Sequence, residues 1–153
     1  MYSIVLYVHS LLRWVVLVLA VVAIARAARG VSGSGRPFSR ADDKVGLSFM
    51  IALDVQLLIG LALYFALSPI TTAALSGFGA AMKDRTLRFW AVEHAFAMIL
   101  GIVLVHIGRV AVRRAKDAPA KHKKALVFYA LGTLCIVAGI PWPFLPYGRG
   151  LLP

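Results

Sequence analysis

Apolar residues in this chain come in long unbroken runs, not in alternation or in a one-sided stripe. Four runs approach the ~20 helical residues that a bilayer crossing takes. They extend from Tyr2 to about Ala25, from Val45 to about Leu67, from Phe89 to about Val112 and from Ala125 to about Ile140. The last is short, and Trp142 and Phe144 extend it into the interfacial zone where aromatic rings collect. The pattern predicts an all-α, integral membrane, multi-pass protein: a four-helix up-down bundle formed by residues 1–153 as one domain. Between the first two runs, Gly30 to Gly35 is expected to be a flexible loop. Ser68 to Arg88, rich in Thr, Ala, Gly and Met, suits a short interfacial helix or lid. The tail from Pro141 to Pro153 carries four prolines, which exclude a helix and leave an extended aromatic strap. The first run is not expected to be a cleavable signal, since it lacks a basic leader and holds Arg13 in its middle.

Composition strengthens the membrane assignment. Hydrophobic residues make up 61% of the 153 and charged residues 15%, with a mean hydropathy of +0.84. Soluble domains average roughly 45–50% and roughly 25%, and a chain this small could not bury so much apolar surface. The net charge of +11 does not indicate nucleic acid, because the cations lie in the gaps between runs and not on one folded face. Their placement sets orientation instead. Arg26, Arg29, Arg36, Arg40 and Lys44 fill the first gap, and Arg109, Arg113, Arg114, Lys116, Lys121, Lys123 and Lys124 the third. The second gap has only Lys83, Arg85 and Arg88. The positive-inside rule then puts gaps one and three in the cytoplasm and both termini outside. Runs one and three are therefore parallel. In a bacterium the membrane is the cytoplasmic (inner) one.

Polar groups inside such runs are costly and each needs a reason. They are His9, Arg13, Asp54, Gln56, Glu93, His94 and His106. His9 lies roughly 10 Å and His94 roughly 8 Å from the same side of the membrane, at ~1.5 Å per residue. Two imidazoles at matching height on parallel helices could hold a flat cofactor, one on each face of a haem iron. The plainer alternative is that each is a hydrogen-bonded core residue. Met98, one turn below His94, and Gly101 share its face, and the missing side chain of Gly101 leaves room for a ring. Arg13 sits one turn below His9 at a depth near that of Asp54, so an Arg13–Asp54 ion pair is expected. Such a pair fixes helix register; its functional alternative is a proton relay or a quinone-headgroup anchor. Gln56 points away from Asp54, toward another helix or the outer part of a cavity. Glu93 adjoins His94 and is open to three roles: supporting its imidazole, taking protons, or reaching headgroups. Arg85 and Arg88, just outside run three, are placed to pair with haem propionates or to act as ordinary juxtamembrane charges.

The remaining candidates are weaker. His106 lies some 18 Å beyond His94 with no histidine partner at that depth, and reads as a capped interfacial residue. His122, in a Lys-His-Lys-Lys run, reads as solvated loop. One haem b per chain is therefore expected, not two. Cys135 has no charged neighbour and reads as packing; a single cysteine excludes an internal disulfide.

Several segments resemble a small bacterial four-helix membrane family labelled cytochrome b or cytochrome b-like. They are His9-Ser-Leu-Leu-Arg-Trp14, Gln56-Leu-Leu-Ile-Gly-Leu-Ala-Leu-Tyr-Phe65, Arg88-Phe-Trp-Ala-Val-Glu-His94, Lys121-His-Lys-Lys124 and Pro141-Trp-Pro-Phe144. The similarity runs over nearly the whole chain and implies b-type haem, electron transfer, and His9 and His94 as the ligand positions. The chain departs from the two-haem cytochrome b561 type, which puts electron transfer across the membrane in doubt. The leading expectation is a single-haem carrier between the quinone pool and an outer redox partner protein. Arg13, Asp54 and Glu93 are its candidates for quinol proton handling. Two other classes stay open: a haem-dependent membrane enzyme or haem-handling factor of the porphyrin-oxidising kind, and a non-haem assembly or transport subunit. Small bundles of this kind often pair, but no GxxxG run nominates a face for a homodimer.

Overall fold

A computed structural model describes residues 1–33 and 35–151. All its regular structure is helical, with no strand among the described residues. The elements are α1 (Tyr2–Ser32), α2 (Arg40–Ala62) running into a π-helical turn at Leu63–Leu67, and the short α3 (Pro69–Ser76), α4 (Phe78–Ala81) and α5 (Arg85–Arg88). A second π-helical turn, Phe89–Glu93, leads into α6 (His94–Arg114), and α7 (Ala118–Gly139) follows. Tyr2–Ser32, Arg40–Leu67 and Arg85–Arg114 are each long and apolar enough to cross a membrane. α7 is not among them, because Lys121, Lys123 and Lys124 occupy its first turns and it ends at Gly139. Large apolar side chains such as Val18, Val21, Leu58 and Leu134 are more than half exposed, so the outside of the bundle is apolar as well as its core.

Local chemistry sets the helix boundaries. The Ser39 hydroxyl accepts from the Asp42 amide and the Asp42 carboxylate accepts from the Ser39 amide, a reciprocal cap that starts α2. Ser68 caps α3 with Pro69 in its first turn, and Asp117 caps α7 with Pro119 in its first turn. The segment between the second and third runs, expected as a short interfacial helix or lid, forms the short helices α3–α5. α1 does not stop near Ala25. It continues through Gly30 to Ser32, so the expected flexible loop is helical over its first half. The reason is packing: Gly30 is buried against the ring of His122, where any Cβ would collide.

The four long helices form a ring in which α1 packs on α2, α2 on α6, α6 on α7 and α7 on α1. α1 and α6 therefore stand across the diagonal. Val16, Ala20, Ala23, Phe49, Leu53 and Val105 fill the centre. α6 and α7 approach closely at Gly101 and Gly132, where a Cβ on Gly101 would lie 2.8 Å from the Gly132 carbonyl. Gly101 is thus a helix-crossing residue. It leaves no room for a ring, contrary to expectation, because its bare face is already filled by Gly132 and Ile136 of α7.

The end of the bundle where α1 meets α2 is held by charge. Asp42 accepts from Arg26 at 2.8 Å and from Arg36 at 3.0 Å, and Arg36 also donates to the Arg26 carbonyl. Asp43 faces Arg109 at 2.8 Å. His122 lies here fully buried beside Phe38, not in a solvated loop, because α7 begins at Ala118 and carries it inward.

Candidate functional site

At the opposite end, the diagonal between α1 and α6 is not filled. A cavity of about 910 Å³ lies there, lined by His9 and Arg13 of α1, Gln56 of α2, His94 and Met98 of α6, and Arg149 of the tail among others. The pairing of His9 with His94 by depth alone is what the structure brings together. Both rings border one space because α1 and α6 stand across the diagonal and both line it.

The two imidazoles are held differently. The His94 Nδ1 lies 2.8 Å from the Gly139 carbonyl. Gly139 ends α7, and the last carbonyls of a helix have no partner within it. That bond fixes the hydrogen on Nδ1 and leaves the Nε2 lone pair unused. Gly139 can come this near because a Cβ there would meet Ala97 at 2.7 Å and Met98 at 2.6 Å. The Nδ1 of His9 is buried with no hydrogen-bond partner. Its ring lies over Gly60, and its carbonyl accepts from the Gln56 amide at 3.0 Å. Gln56 thus bonds a neighbouring helix and borders the cavity, as the direction of its side chain predicts.

The tail closes over this end. The Arg13 guanidinium donates to the Leu151 carbonyl at 2.6 Å, and the Trp14 indole donates to the same oxygen at 3.3 Å. Arg149 donates to the Tyr2 hydroxyl at 3.0 Å and lies over the Trp90 ring, 4.6 Å from its centre. Tyr147 stacks on Phe89 at 3.7 Å. The described part of the tail, residues 141–151, is non-helical as expected but not extended: its backbone folds into turns, with Leu145 bonded to Trp142, Gly148 to Leu145 and Arg149 to Pro141; residues 152 and 153 lie outside the described residues.

Other candidates lie elsewhere. Arg13 and Asp54 do not pair. Asp54 instead faces His106, 3.3 Å from its Nε2, and both are half-exposed on the outside of α2 and α6. Equal depth does not guarantee equal azimuth, and Asp54 points to α6, not α1. His106 is accordingly a paired residue and not only a capped one; its Nδ1 also lies 3.1 Å from the Ile102 carbonyl. Glu93 accepts from Arg88 at 2.8 Å on the exposed surface, so the Gly139 carbonyl, not Glu93, supports the His94 ring. Arg88 is committed to Glu93 and the Met82 carbonyl, and Arg85 lies over the Tyr147 ring. None of Asp54, Glu93, Arg85 and Arg88 borders the cavity. The cations that do are Arg13 and Arg149. Arg149 was open to the same reasoning as Arg85, since it is the only cation in the tail, but nothing in the sequence says that the tail folds back.

The chain matches no known family profile, no curated protein and no solved structure. Chemistry must therefore be argued from the donor set. Among the described residues no three His, Cys, Asp or Glu side chains converge as metal ligands. What the cavity offers is two imidazoles and two guanidiniums in an otherwise mainly apolar wall. Two nitrogen donors and two cations would suit a carboxylate-bearing cofactor that brings further ligands of its own better than a bare metal ion.

Proposed function

We propose that the protein is an integral membrane b-type haem protein that carries electrons, in which His9 and His94 would hold the iron of a single haem. The observation that carries this reading is the shared cavity: two histidines from diagonal helices, one with its Nδ1 bonded to the Gly139 carbonyl and its Nε2 free. A volume of about 910 Å³ lies within the ~300–1,000 Å³ of ordinary cofactor pockets. Haem supplies one-electron redox chemistry when bound. The chain's own residues do the rest. The Gly139 carbonyl orients the His94 ring and raises its basicity. Met98 contributes apolar wall. Arg13 and Arg149 would take the place first expected of Arg85 and Arg88, as guanidinium partners for carboxylates in the cavity.

On this reading the cation-rich loops lie inside, this end of the bundle faces outward, and α7 is the fourth span. A single haem there serves exchange within one leaflet: the quinone pool on one side, an outer redox partner protein on the other. The quinol protons would not be handled by Asp54 or Glu93, which lie away from the cavity.

The test is an absorption spectrum of protein purified after expression with haem supply. Low-spin Soret and alpha bands are expected in the reduced wild type. His9→Ala and His94→Ala should each abolish them while circular dichroism still reports a helical bundle. A high-spin spectrum that shifts with added ligand would move the reading to a haem-dependent enzyme. No bound pigment at all would end it in favour of a non-haem assembly or transport subunit.

A further inference from the structure

The charged end of the bundle carries more positive charge than its fold uses. Twelve of the 17 lysines and arginines lie there, with three of the six carboxylates: Asp42, Asp43 and Asp117. Each of the three is engaged within the chain. Asp42 holds Arg26 and Arg36, Asp43 faces Arg109 at 2.8 Å, and Asp117 accepts from the Ala120 amide as the cap of α7. The other cations of this end pair with no carboxylate among the described residues. The surplus gathers at one place. The Arg109 side chain is 4% exposed and is spent on Asp43. Arg113, one turn further along α6, and Lys121, in the first turn of α7, also act on that carboxylate. Arg113 is exposed, and the half-buried Lys121 holds its ammonium 5.7 Å from the centre of the Phe38 ring. Three cations thus meet one anion where α2, α6 and α7 come together, and two positive charges are left over.

We infer that Arg113 and Lys121 form a binding site for the phosphodiester of an anionic phospholipid. Such a headgroup brings one negative charge and two free oxygens. A guanidinium takes both oxygens side by side, and an ammonium adds a point charge. Arg109 cancels the charge of Asp43, which would otherwise repel the phosphate. The surface beside the cations favours a lipid over a free phosphate. Val110 lies three residues before Arg113, so the two are neighbours on the helix surface, and Val110 is 47% exposed. Ile107, a further turn into the apolar span, is 48% exposed. Acyl chains hanging from a phosphate at Arg113 would lie along this stripe, where a soluble anion gains nothing. On the proposed orientation this leaflet is the inner one, to which anionic lipids give a negative surface potential. The inference rests on the membrane reading but not on haem.

The full chain in detergent at 0.15 M salt is titrated with phosphatidylglycerol, phosphatidylcholine or inorganic phosphate, and its thermal midpoint is followed. A rise with phosphatidylglycerol alone is expected. Arg113→Gln with Lys121→Gln should raise the half-saturating concentration about twentyfold, at roughly fivefold for each cation. Arg29→Gln with Lys123→Gln takes equal charge from the same end, at residues that do not act on Asp43. It should change that concentration less than about threefold, since salt screens diffuse attraction. Equal weakening by the two double variants would overturn the site. So would an equal response to phosphatidylcholine, a rise with inorganic phosphate, or wild-type binding of phosphatidylglycerol by Arg113→Gln with Lys121→Gln. A chain that binds no pigment but keeps this response would lose the proposed electron transfer and keep the lipid site. Release of the chain from native membranes by alkaline carbonate would overturn the membrane reading, and the lipid site with it.

Discussion

At Asp42 one carboxylate takes hydrogen bonds from Ser39, Arg26 and Arg36, and joins α1, the loop and the start of α2. Burial alone would raise its pKa, but the Ser39 hydroxyl and amide and the Arg26 guanidinium more than offset this and hold it below the usual carboxylate range. A depressed folded-state pKa stabilises the fold above the unfolded value of ~3.9 and loses that contribution as pH falls through the folded value. Denaturant melts from about pH 5 downward should therefore show a decline. In Asp42→Asn that decline should shrink, at a neutral-pH cost on the order of 2–3 kcal/mol. At the residue level, depth alone put His9 and His94 at one height, and both border one cavity. The same reading failed for Arg13 with Asp54, where the azimuth of one side chain decides the partner. It also failed for His122, whose lysine neighbours suggest water while the helix turns its ring inward.

Among the helices, the close approach of α6 and α7 rests on residues without side chains. A Cβ at Gly101 would fall 2.7 Å from Ile136 and 2.8 Å from the Gly132 carbonyl, which is backbone and cannot rotate away. Gly101→Ala should destabilise the bundle by about 1–3 kcal/mol, read as a lower thermal midpoint in detergent. If Gly101 instead bordered free space, the alanine would be neutral. Element boundaries were legible where a stop or start signal exists. Asp117 followed by Pro119 marks the true start of α7, earlier than its apolar run suggests. The π-helical turns at Leu63–Leu67 and Phe89–Glu93 carry no such signal. Each adds a residue to one turn, so counting at ~3.6 per turn across Phe89–Glu93 misplaces Arg85 and Arg88 relative to His94 by roughly 100°.

The molecule as a whole has two unlike ends: one tied by Asp42, Asp43 and their arginines, the other built around a cavity. The all-α class was legible because long apolar runs have few other solutions, and the ring order of the helices was not, because nothing in a run says which neighbours it chooses. The membrane reading predicts a sidedness. In a Cys135→Ser background, Phe144→Cys should react with a membrane-impermeant maleimide in intact cells. Lys124→Cys should react only after the membrane is opened. The reverse pattern would invert the protein and move its cavity to the other leaflet.

The strap that joins Leu151 to Arg13 and Trp14 is made after all four long helices. Beyond Gly139 the strap is built from turns and tied to α1 by a few side-chain bonds, so it can lift while the helices stay packed.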